Sequence, residues 1–395
     1  MKSLNLNSEI FDRGVEDIVT EDELFSLLKS GRKLRVKHGI DATSPDLHVG
    51  HAANLWKIRE LQEAGHKAVI LLGDVTTQIG DPTGKAKTRP VLSLAEISKN
   101  IKSIESQLKK ILRVTPSLFE LRRSSEWYDK LSTPAFLKLL SMITHARLVE
   151  RDMFQKRIKE GGEIHENEVV YPVLQGYDSV MLKSDLTVIG SDQLFNEHMG
   201  RHFQEKFGMR PQVIMTLKIL PGLDGGEKMS KSLGNNISLL DSPKDKFGKA
   251  MRVLDSLIIR YLESYTDVPT EEISAWEKSV TEGENPMKAK LFFAEALVRR
   301  YHGAETGRKE RKRFVGLYSK KDMSSFLFVA LEPGKYHILD LLQKLDLAPS
   351  RAEARRLLEQ RAVDKNGKTL DVIGYESISK GDVIQVGKRR VVKIK

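Results

Sequence analysis

Two stretches of this chain carry residues that could do phosphoryl chemistry together: Asp46-Leu47-His48-Val49-Gly50-His51 and, far downstream, Glu227-Lys228-Met229-Ser230-Lys231-Ser232. Attack of a carboxylate on the α-phosphate of ATP needs no covalent nucleophile from the protein. It needs in-line positioning and donors aimed at the charge that grows on the phosphoryl oxygens. His48 and His51, on the first turn of a helix, would share a face, and the helix N-terminus favours an anion. Gly50 lets a ribose or phosphate approach the backbone. Lys228 and Lys231 follow Gly222-Leu-Asp-Gly-Gly226, a loop free to fold over a triphosphate and to release pyrophosphate afterwards. Taken singly, the histidines read as a helix cap and the lysines as an exposed basic loop. The Ser-interleaved lysine pattern in the same chain reverses both readings.

Two further clusters extend the set. Gly73 to Arg89 could be mistaken for a phosphate-binding P-loop, but Gly80 to Gly84-Lys85 is one residue short of that spacing and Ala86 stands where a magnesium-binding hydroxyl is required. The segment offers instead Asp81, an anion suited to an amino group, and Lys85 and Arg89, cations suited to a leaving pyrophosphate. Tyr171-Pro-Val-Leu-Gln175-Gly-Tyr-Asp178 and Gly190-Ser-Asp192-Gln193 place a phenol, two amides and two carboxylates near strand ends, able to read an ammonium and a hydroxyl together. The plainer role for Asp178 is a helix cap. His198 and His202 stand four apart like half a metal site, but no third ligand accompanies them and they read as helix-surface residues.

Alternating strands and helices must position these groups. Leu34, Val36, His38 and Ile40 alternate as a strand and end in the turn Asp41-Ala42-Thr43-Ser44-Pro45; a helix from about His51 to Ala64 follows, then an apolar strand from Ala68 to Leu72. This is a Rossmann-type half, in which phosphates meet a helix N-terminus at the carboxyl edge of a parallel sheet. From about Leu92 to Gly162 the pattern turns helical and charged without a clear strand, as an insertion would. Leu186–Gly190 and Gln212–Leu220 resume the sheet, and helices follow Pro243. The expected organisation is α/β: a catalytic domain over 1–240 with a helical insertion near 92–165, a helical domain over 241–330, and a small α+β domain over 335–395 beyond the hinge Pro333-Gly334.

The 395 residues contain no cysteine, which removes disulfides, thiolate metal sites and cysteine nucleophiles and agrees with a reducing compartment. No stretch approaches a membrane span and the N-terminus lacks the apolar core of a signal peptide, so the expected location is the cytoplasm. The formal net charge of +11 falls entirely within residues 299–395, the first 298 being balanced. A basic end on a neutral, enzyme-sized chain suggests a polyanionic partner, although the run Arg308 to Arg313 alone reads equally well as a solvated helix face.

With these motifs in hand, the chain resembles the bacterial tyrosyl-tRNA synthetases, class I aminoacyl-tRNA synthetases, over essentially its whole length. His48-Val-Gly-His51 is similar to the family's His-Ile-Gly-His signature, Lys228 to Ser232 to its lysine signature, and Gly80-Asp-Pro-Thr-Gly84 with Arg89 to its Gly-Asp-Pro-Ser-Gly loop. The resemblance implies that Thr43, His48 and His51 contact ATP phosphates and that Lys85, Arg89, Lys228 and Lys231 contact the pyrophosphate. Asp41, Gly50, Gly190, Met229 and Ser230 would sit at the nucleotide, with Asp192 on the ribose. Tyr171, Gln175 and Asp81 would hold the amino group of the amino acid, with Thr76 nearby; Asp178 would accept from the phenolic hydroxyl, and Gln193 would lie near the carboxylate. The segments around Ile338–Leu342, Ser350–Leu358 and Val363–Gly367 resemble an S4 RNA-binding domain.

The implied activity is ATP- and magnesium-dependent ligation of tyrosine to its tRNA by a homodimer joined through the inserted helices. It has no resident protein-held metal, no editing domain, and no part for DNA or a membrane. Three positions depart from the family pattern: Lys37 stands where many members have a tyrosine that touches the substrate hydroxyl, Ala42 replaces the usual proline, and Thr77 a usual glycine. Against the tryptophan branch stand Gln175 with Asp178, the Gly190-Ser-Asp-Gln193 string and the S4-like tail. An RNA-binding protein on a retired synthetase scaffold would have lost the phosphate-handling residues, which are present here.

Overall fold

Six strands form the sheet that carries the candidate site: β1 (Val15–Val19), β2 (Arg35–Ile40), β3 (Lys67–Leu72), β4 (Phe119–Arg123), β5 (Leu186–Gly190) and β6 (Val213–Leu217), in the spatial order β1-β6-β5-β2-β3-β4. The computed structural model describes residues 9–82, 92–231, 233–318, 327–387 and 390–395. All pairings are parallel except β1 with β6, which is antiparallel at the edge. The chain runs outward from β2 to β3 and β4, then returns to place β5 on the other side of β2. The topological switch point therefore lies between the carboxyl ends of β2 and β5, where open α/β sheets bind ligands.

Both faces of the sheet are covered, so the strands bury both of their side-chain sets. On β3, Ala68, Ile70 and Leu72 enter one core with Val36, Leu55 and Ile58, while Val69 and Leu71 enter another with Trp127 and Leu182. The helix Val49–Glu63 buries Ala52, Leu55, Ile58 and Leu61 at helical spacing and begins two residues earlier than its periodicity predicts, because His48, extended at φ −118°, is its N-cap. The helix ends at Ala64, just before Gly65 at φ +100°.

One expectation fails. The stretch from Leu92 is not free of strands: the helix Leu94–Leu108 is a crossover that buries Ile97, Ile101 and Ile104, and it leads to β4, which pairs in parallel with β3. Phe119 and Leu121 pack on the core, while Glu120 and Arg122 interrupt the apolar run. Their charge disguised the strand. Glu120 is held by Arg35, Lys67 and Arg122, a network at the sheet edge that brings its carboxyl down to about 2, led by the hydrogen bond from Arg35. The helical insertion thus starts after Arg123 and runs to the long helix Glu166–Leu182.

That helix and its neighbour Leu194–Lys206 approach closely through Gly176, where a Cβ would stand 2.7 Å from Phe203 and 2.9 Å from Met199. After the sheet come the helices Pro243–Ala250, Ile258–Tyr265, Thr270–Thr281 and Pro286–His302. Arg13 ties the second of these to the N-terminal segment by donating to the carbonyls of Leu262, Glu263, Thr266 and Val268, a cationic cap on the helix C-terminus.

The chain divides into two compact units, Met1–Gly303 and Ala304–Lys395. The second contains the helix Ala304–Tyr318, two shorter helices, Ile338–Lys344 and Arg351–Glu359, and small strands. Among the described residues five of the strands form one sheet, and Gly334–His337 and Tyr375–Ile378, distant in sequence, form a two-stranded antiparallel pair. Its own core gathers Ile338, Leu341, Leu358, Val363 and Ile384.

Candidate active site

A cleft of about 320 Å³ opens at the switch point, bounded by the carboxyl ends of β2, β3, β5 and β6. Of the residues predicted from sequence, Asp41, Thr43, His48, Gly50, His51 and Thr76 line it from the first half of the sheet, with Asp81 from the loop beyond. Tyr171, Gln175 and Asp178 line it from the long helix, Gly190, Asp192 and Gln193 from the end of β5, and Lys228 and Met229 from the lysine loop. Lys85, Arg89 and Ser232 lie outside the described residues.

One end of the cleft is a buried carboxyl among donors. Asp178 Oδ1 accepts from Trp127 Nε1 at 3.0 Å and from Tyr128 OH at 2.9 Å, and its Oδ2 receives no donor from the described residues. Burial pushes this carboxyl up to about 7 against the pull of Lys37. It is not a helix cap but an interior residue of Glu166–Leu182. Beside it, Asp41 accepts from Tyr171 OH at 2.9 Å and from Thr76 Oγ1 at 2.7 Å, which fixes both hydroxyls. Gly73 is obligatory there, since a Cβ would stand 2.2 Å from Thr76 Oγ1. Gln193 Nε2 donates to Asp81 Oδ2 at 2.7 Å.

The other end is lined by imidazoles and by the half-exposed Lys228, with Lys231 beside it. His48 and His51 stack with ring centroids 3.8 Å apart. The backbone N–H of His48 donates to His51 Nδ1 at 3.3 Å, so the neutral His51 ring carries its proton on Nε2. Burial and then Lys228 take His48 down to about 4; burial, helped by His48, His38 and Lys228, holds His51 well below the usual imidazole value. Although the His51 ring opens onto the cleft, protein crowds it, and a second proton is disfavoured. Both rings are therefore neutral donors at pH 7. Gly50 serves them as well as a ligand, because a Cβ there would stand 3.0 Å from the His48 ring.

The lysine loop is anchored to the histidine segment by backbone. Val49 N donates to Ile237 O at 3.0 Å and Leu239 N to Leu47 O at 2.9 Å, while Gly222 N to Glu227 O closes the loop's base. Lys228 Nζ lies 2.8 Å from Asp192 Oδ2, and Lys231 Nζ 2.6 Å from Asp46 Oδ2; both lysine side chains are more than half exposed, at 53% and 55%. Ser230 N donates to Asn235 Oδ1 and Met229 is buried. Lys231 and Ser230 stand beside the cleft rather than in its wall.

The family described as tRNA synthetases class I (W and Y) matches residues 29–319. The chain is 41% identical over 388 residues to a tyrosine–tRNA ligase of Thermotoga maritima, covering 98% of this chain and 96% of that one. It is 40% identical over 387 residues to one from Methylococcus capsulatus, covering 97% of each. The chain belongs to the class I tRNA synthetases of the W and Y family. Its fold is that of the tyrosyl-tRNA synthetase of Archaeoglobus fulgidus solved with L-tyrosine, at a TM-score of 0.60 and 24% identity over 77% of this chain and 98% of that one. A C-terminally truncated mitochondrial tyrosyl-tRNA synthetase of Aspergillus nidulans gives 0.64 at 23% identity, covering 79% and 94%.

Within this synthetase frame, the cleft and the shell behind it also hold residues that sequence motifs missed. Trp127 and Tyr128 follow β4 and reach Asp178 across the fold. Their Ser-Glu-Trp-Tyr context carries no periodic signal. Tyr265 ends the helix Ile258–Tyr265 and lines the cleft beside Gly50, its hydroxyl 3.9 Å from where a Cβ on Gly50 would be. Lys37 and Glu197 meet as a buried pair in the wall. The two smaller departures from the family pattern meet as well: Ala42 N donates to Thr77 Oγ1 at 2.8 Å, using an N–H that proline lacks and a hydroxyl that glycine lacks. His202 Nε2 contacts Met142 O, and it forms no metal cluster among the described residues.

Proposed function

We infer that this protein activates tyrosine with ATP, forming tyrosyl-adenylate and pyrophosphate, and then transfers the tyrosyl group to a tRNA. The observation that carries the reading is one continuous cleft with a buried, donor-flanked carboxyl at one end and neutral imidazoles with movable lysines at the other. Sites that pair a buried hydroxyl reject the analogue lacking it, a rule for which tyrosine-activating synthetases are themselves the standard illustration. The Oδ2 atom of Asp178 is the acceptor for that hydroxyl. Tyr171, Gln175 and Asp81 surround the ammonium, Thr76 steadies Asp41, and Gln193 lies beside the carboxylate.

In the first step a tyrosine carboxylate oxygen attacks the α-phosphorus and the bond to the bridging oxygen of pyrophosphate breaks. His48 and His51 donate to the phosphoryl oxygens as their charge grows, with Thr43 beside them. Lys228 and Lys231 exchange Asp192 and Asp46 for phosphate oxygens, which frees Asp192 for the ribose; Lys85 and Arg89 complete the pyrophosphate's surroundings. In the second step a terminal tRNA hydroxyl attacks the activated carbonyl and AMP leaves. No group of three or more His, Asp or Glu among the described residues could hold a metal ion. Magnesium would enter with ATP's phosphates, and the chain's part is to bind, orient and donate.

The excess positive charge of the second unit supports tRNA binding; the S4-like segment over 335–395 and the helical domain over 241–330, most of which belongs to the first unit, are the tRNA-reading parts. Exposed Leu137 and Ile158 on the inserted helices support a homodimer surface. No helix among the described residues is long and apolar enough to cross a membrane, and the cysteine-free composition supports a cytoplasmic enzyme. Charging of tRNA with radiolabelled tyrosine tests the reading. ATP-dependent incorporation is expected; incorporation of another amino acid in its place would refute it.

A further inference from the structure

A continuous hydrogen-bonded chain runs along the cleft wall and starts at Lys37. Its Nζ lies 3.0 and 2.9 Å from the two carboxylate oxygens of Glu197 and 2.7 Å from Ser179 Oγ, and the side chains of both Lys37 and Glu197 are only 1% exposed. Three contacts use the three protons of the ammonium, so Lys37 has none left for a substrate hydroxyl. Glu197 also accepts from Gln175 Nε2 at 2.8 Å and from Gln212 Nε2 at 2.7 Å. Beyond it, Asn196 Nδ2 donates to Gln175 Oε1 and to Gln193 Oε1, each at 3.0 Å, and Gln193 Nε2 reaches Asp81.

An ionised carboxylate has no proton to give, so any amide that meets it must present its NH₂ end. Glu197 thereby dictates the polarity of Gln175: nitrogen toward the carboxylate, carbonyl oxygen away from it. The sense reverses at Asn196, whose NH₂ donates to the carbonyl oxygens of both Gln175 and Gln193, and Asp81 draws the NH₂ end of Gln193 as Glu197 draws that of Gln175. An ammonium group is the mirror case, three donors and no acceptor, and it needs oxygens in its surroundings. A lone buried carboxylate would be strongly disfavoured, and Lys37 offsets much of that penalty.

We propose that Glu197, with Lys37 as its buried counter-ion, is the positioning residue that orients the acceptor oxygen of Gln175 for the ammonium group of the amino acid. This rests on the reading of the cleft as a tyrosine site. The chain explains why a lysine is compatible with the place that a tyrosine holds in related enzymes: its role is turned inward, to the wall, rather than toward the ligand.

The test uses the full-length protein and two ligands, L-tyrosine and 3-(4-hydroxyphenyl)propionate, which keeps the ring, hydroxyl and carboxylate but lacks the ammonium. Glu197→Gln keeps the shape and lets the amide turn either way. It should weaken L-tyrosine binding about tenfold or more and the des-amino analogue by less than about twofold. Equal losses for the two ligands, or none for either, would overturn the proposal. The double variant Lys37→Met/Glu197→Leu replaces the pair by apolar groups, a change that buried pairs commonly tolerate in folding, and should show the same selective loss. A folded double variant that binds L-tyrosine as the parent does would also overturn it. If the parent itself binds no L-tyrosine, the functional reading falls and this proposal with it. A parent that binds while the variants lose both ligands alike refutes the positioning role alone.

Discussion

On the proposed reading Asp178 accepts the substrate hydroxyl most strongly when ionised, yet its surroundings resist ionisation. Its value of about 7 against an ordinary 3.8 means that the folded protein keeps a proton the unfolded chain gives up between those values. The group's contribution to stability accordingly declines as pH rises from about 4 to about 7 and is level above it, the reverse of an ion-paired aspartate. Across that window the urea midpoint of the ligand-free parent should fall relative to that of Asp178→Asn; identical pH slopes would contradict the assignment. Tyrosine affinity should rise as pH passes through about 7, and Asp178→Asn should abolish this step and narrow the tyrosine-to-phenylalanine preference by about 10- to 100-fold. Parallel binding titrations with the two amino acids read both effects. At this scale the sequence was legible where residues are neighbours: the spacing of His48 and His51 was enough to put them on one helix turn, though the lysine motif was needed to read them as more than a cap. It was not legible where partners are remote. Lys37 and Glu197 are separated by 160 positions, and Trp127 and Asp178 by 51, so no local pattern joins them.

The elements explain why two distant signatures act as one. The helix Val49–Glu63 begins at the histidines, and the segment after the lysine loop pairs with the backbone just before it, so the loop is fixed at its base while its lysine side chains reach the surface. The half-exposed pairs Lys228 to Asp192 and Lys231 to Asp46 are each worth about 0 to 1 kcal/mol, weak enough to exchange for phosphate. Lys231→Ala should therefore slow tyrosyl-adenylate formation by about tenfold or more while leaving tyrosine affinity unchanged, as read by rapid-quench kinetics and equilibrium binding. Unaltered adenylation rates would remove this loop from the chemistry. Alternation in β2, a continuous apolar run in β3 and a period-3.6 pattern in the helix Val49–Glu63 made these elements readable. The strand β4 was hidden because Glu120 and Arg122 interrupt a five-residue edge strand, and only the ladder with β3 reveals it.

Over the whole molecule, charge and architecture divide together: a first unit that contains the complete cleft, and a second that carries most of the chain's excess positive charge. The basic tail was legible from composition, since the balance of charge along a sequence needs no fold. The end of the first unit at Gly303 was not, because the helices on both sides of it look alike in sequence. Deleting residues 304–395 should leave tyrosine activation within about threefold of the parent and reduce tRNA charging by at least about 100-fold, because phosphate contacts dominate nucleic-acid affinity; loss of activation as well would make the second unit a structural requirement. The central claim is that this one cleft activates tyrosine. Amino-acid-dependent exchange of pyrophosphate into ATP, run in parallel with tyrosine, tryptophan and phenylalanine, tests it most directly. Exchange with tyrosine alone is the predicted result. Exchange driven by tryptophan would keep the chemistry and contradict the role of Asp178, and no exchange with any of the three would contradict the account as a whole.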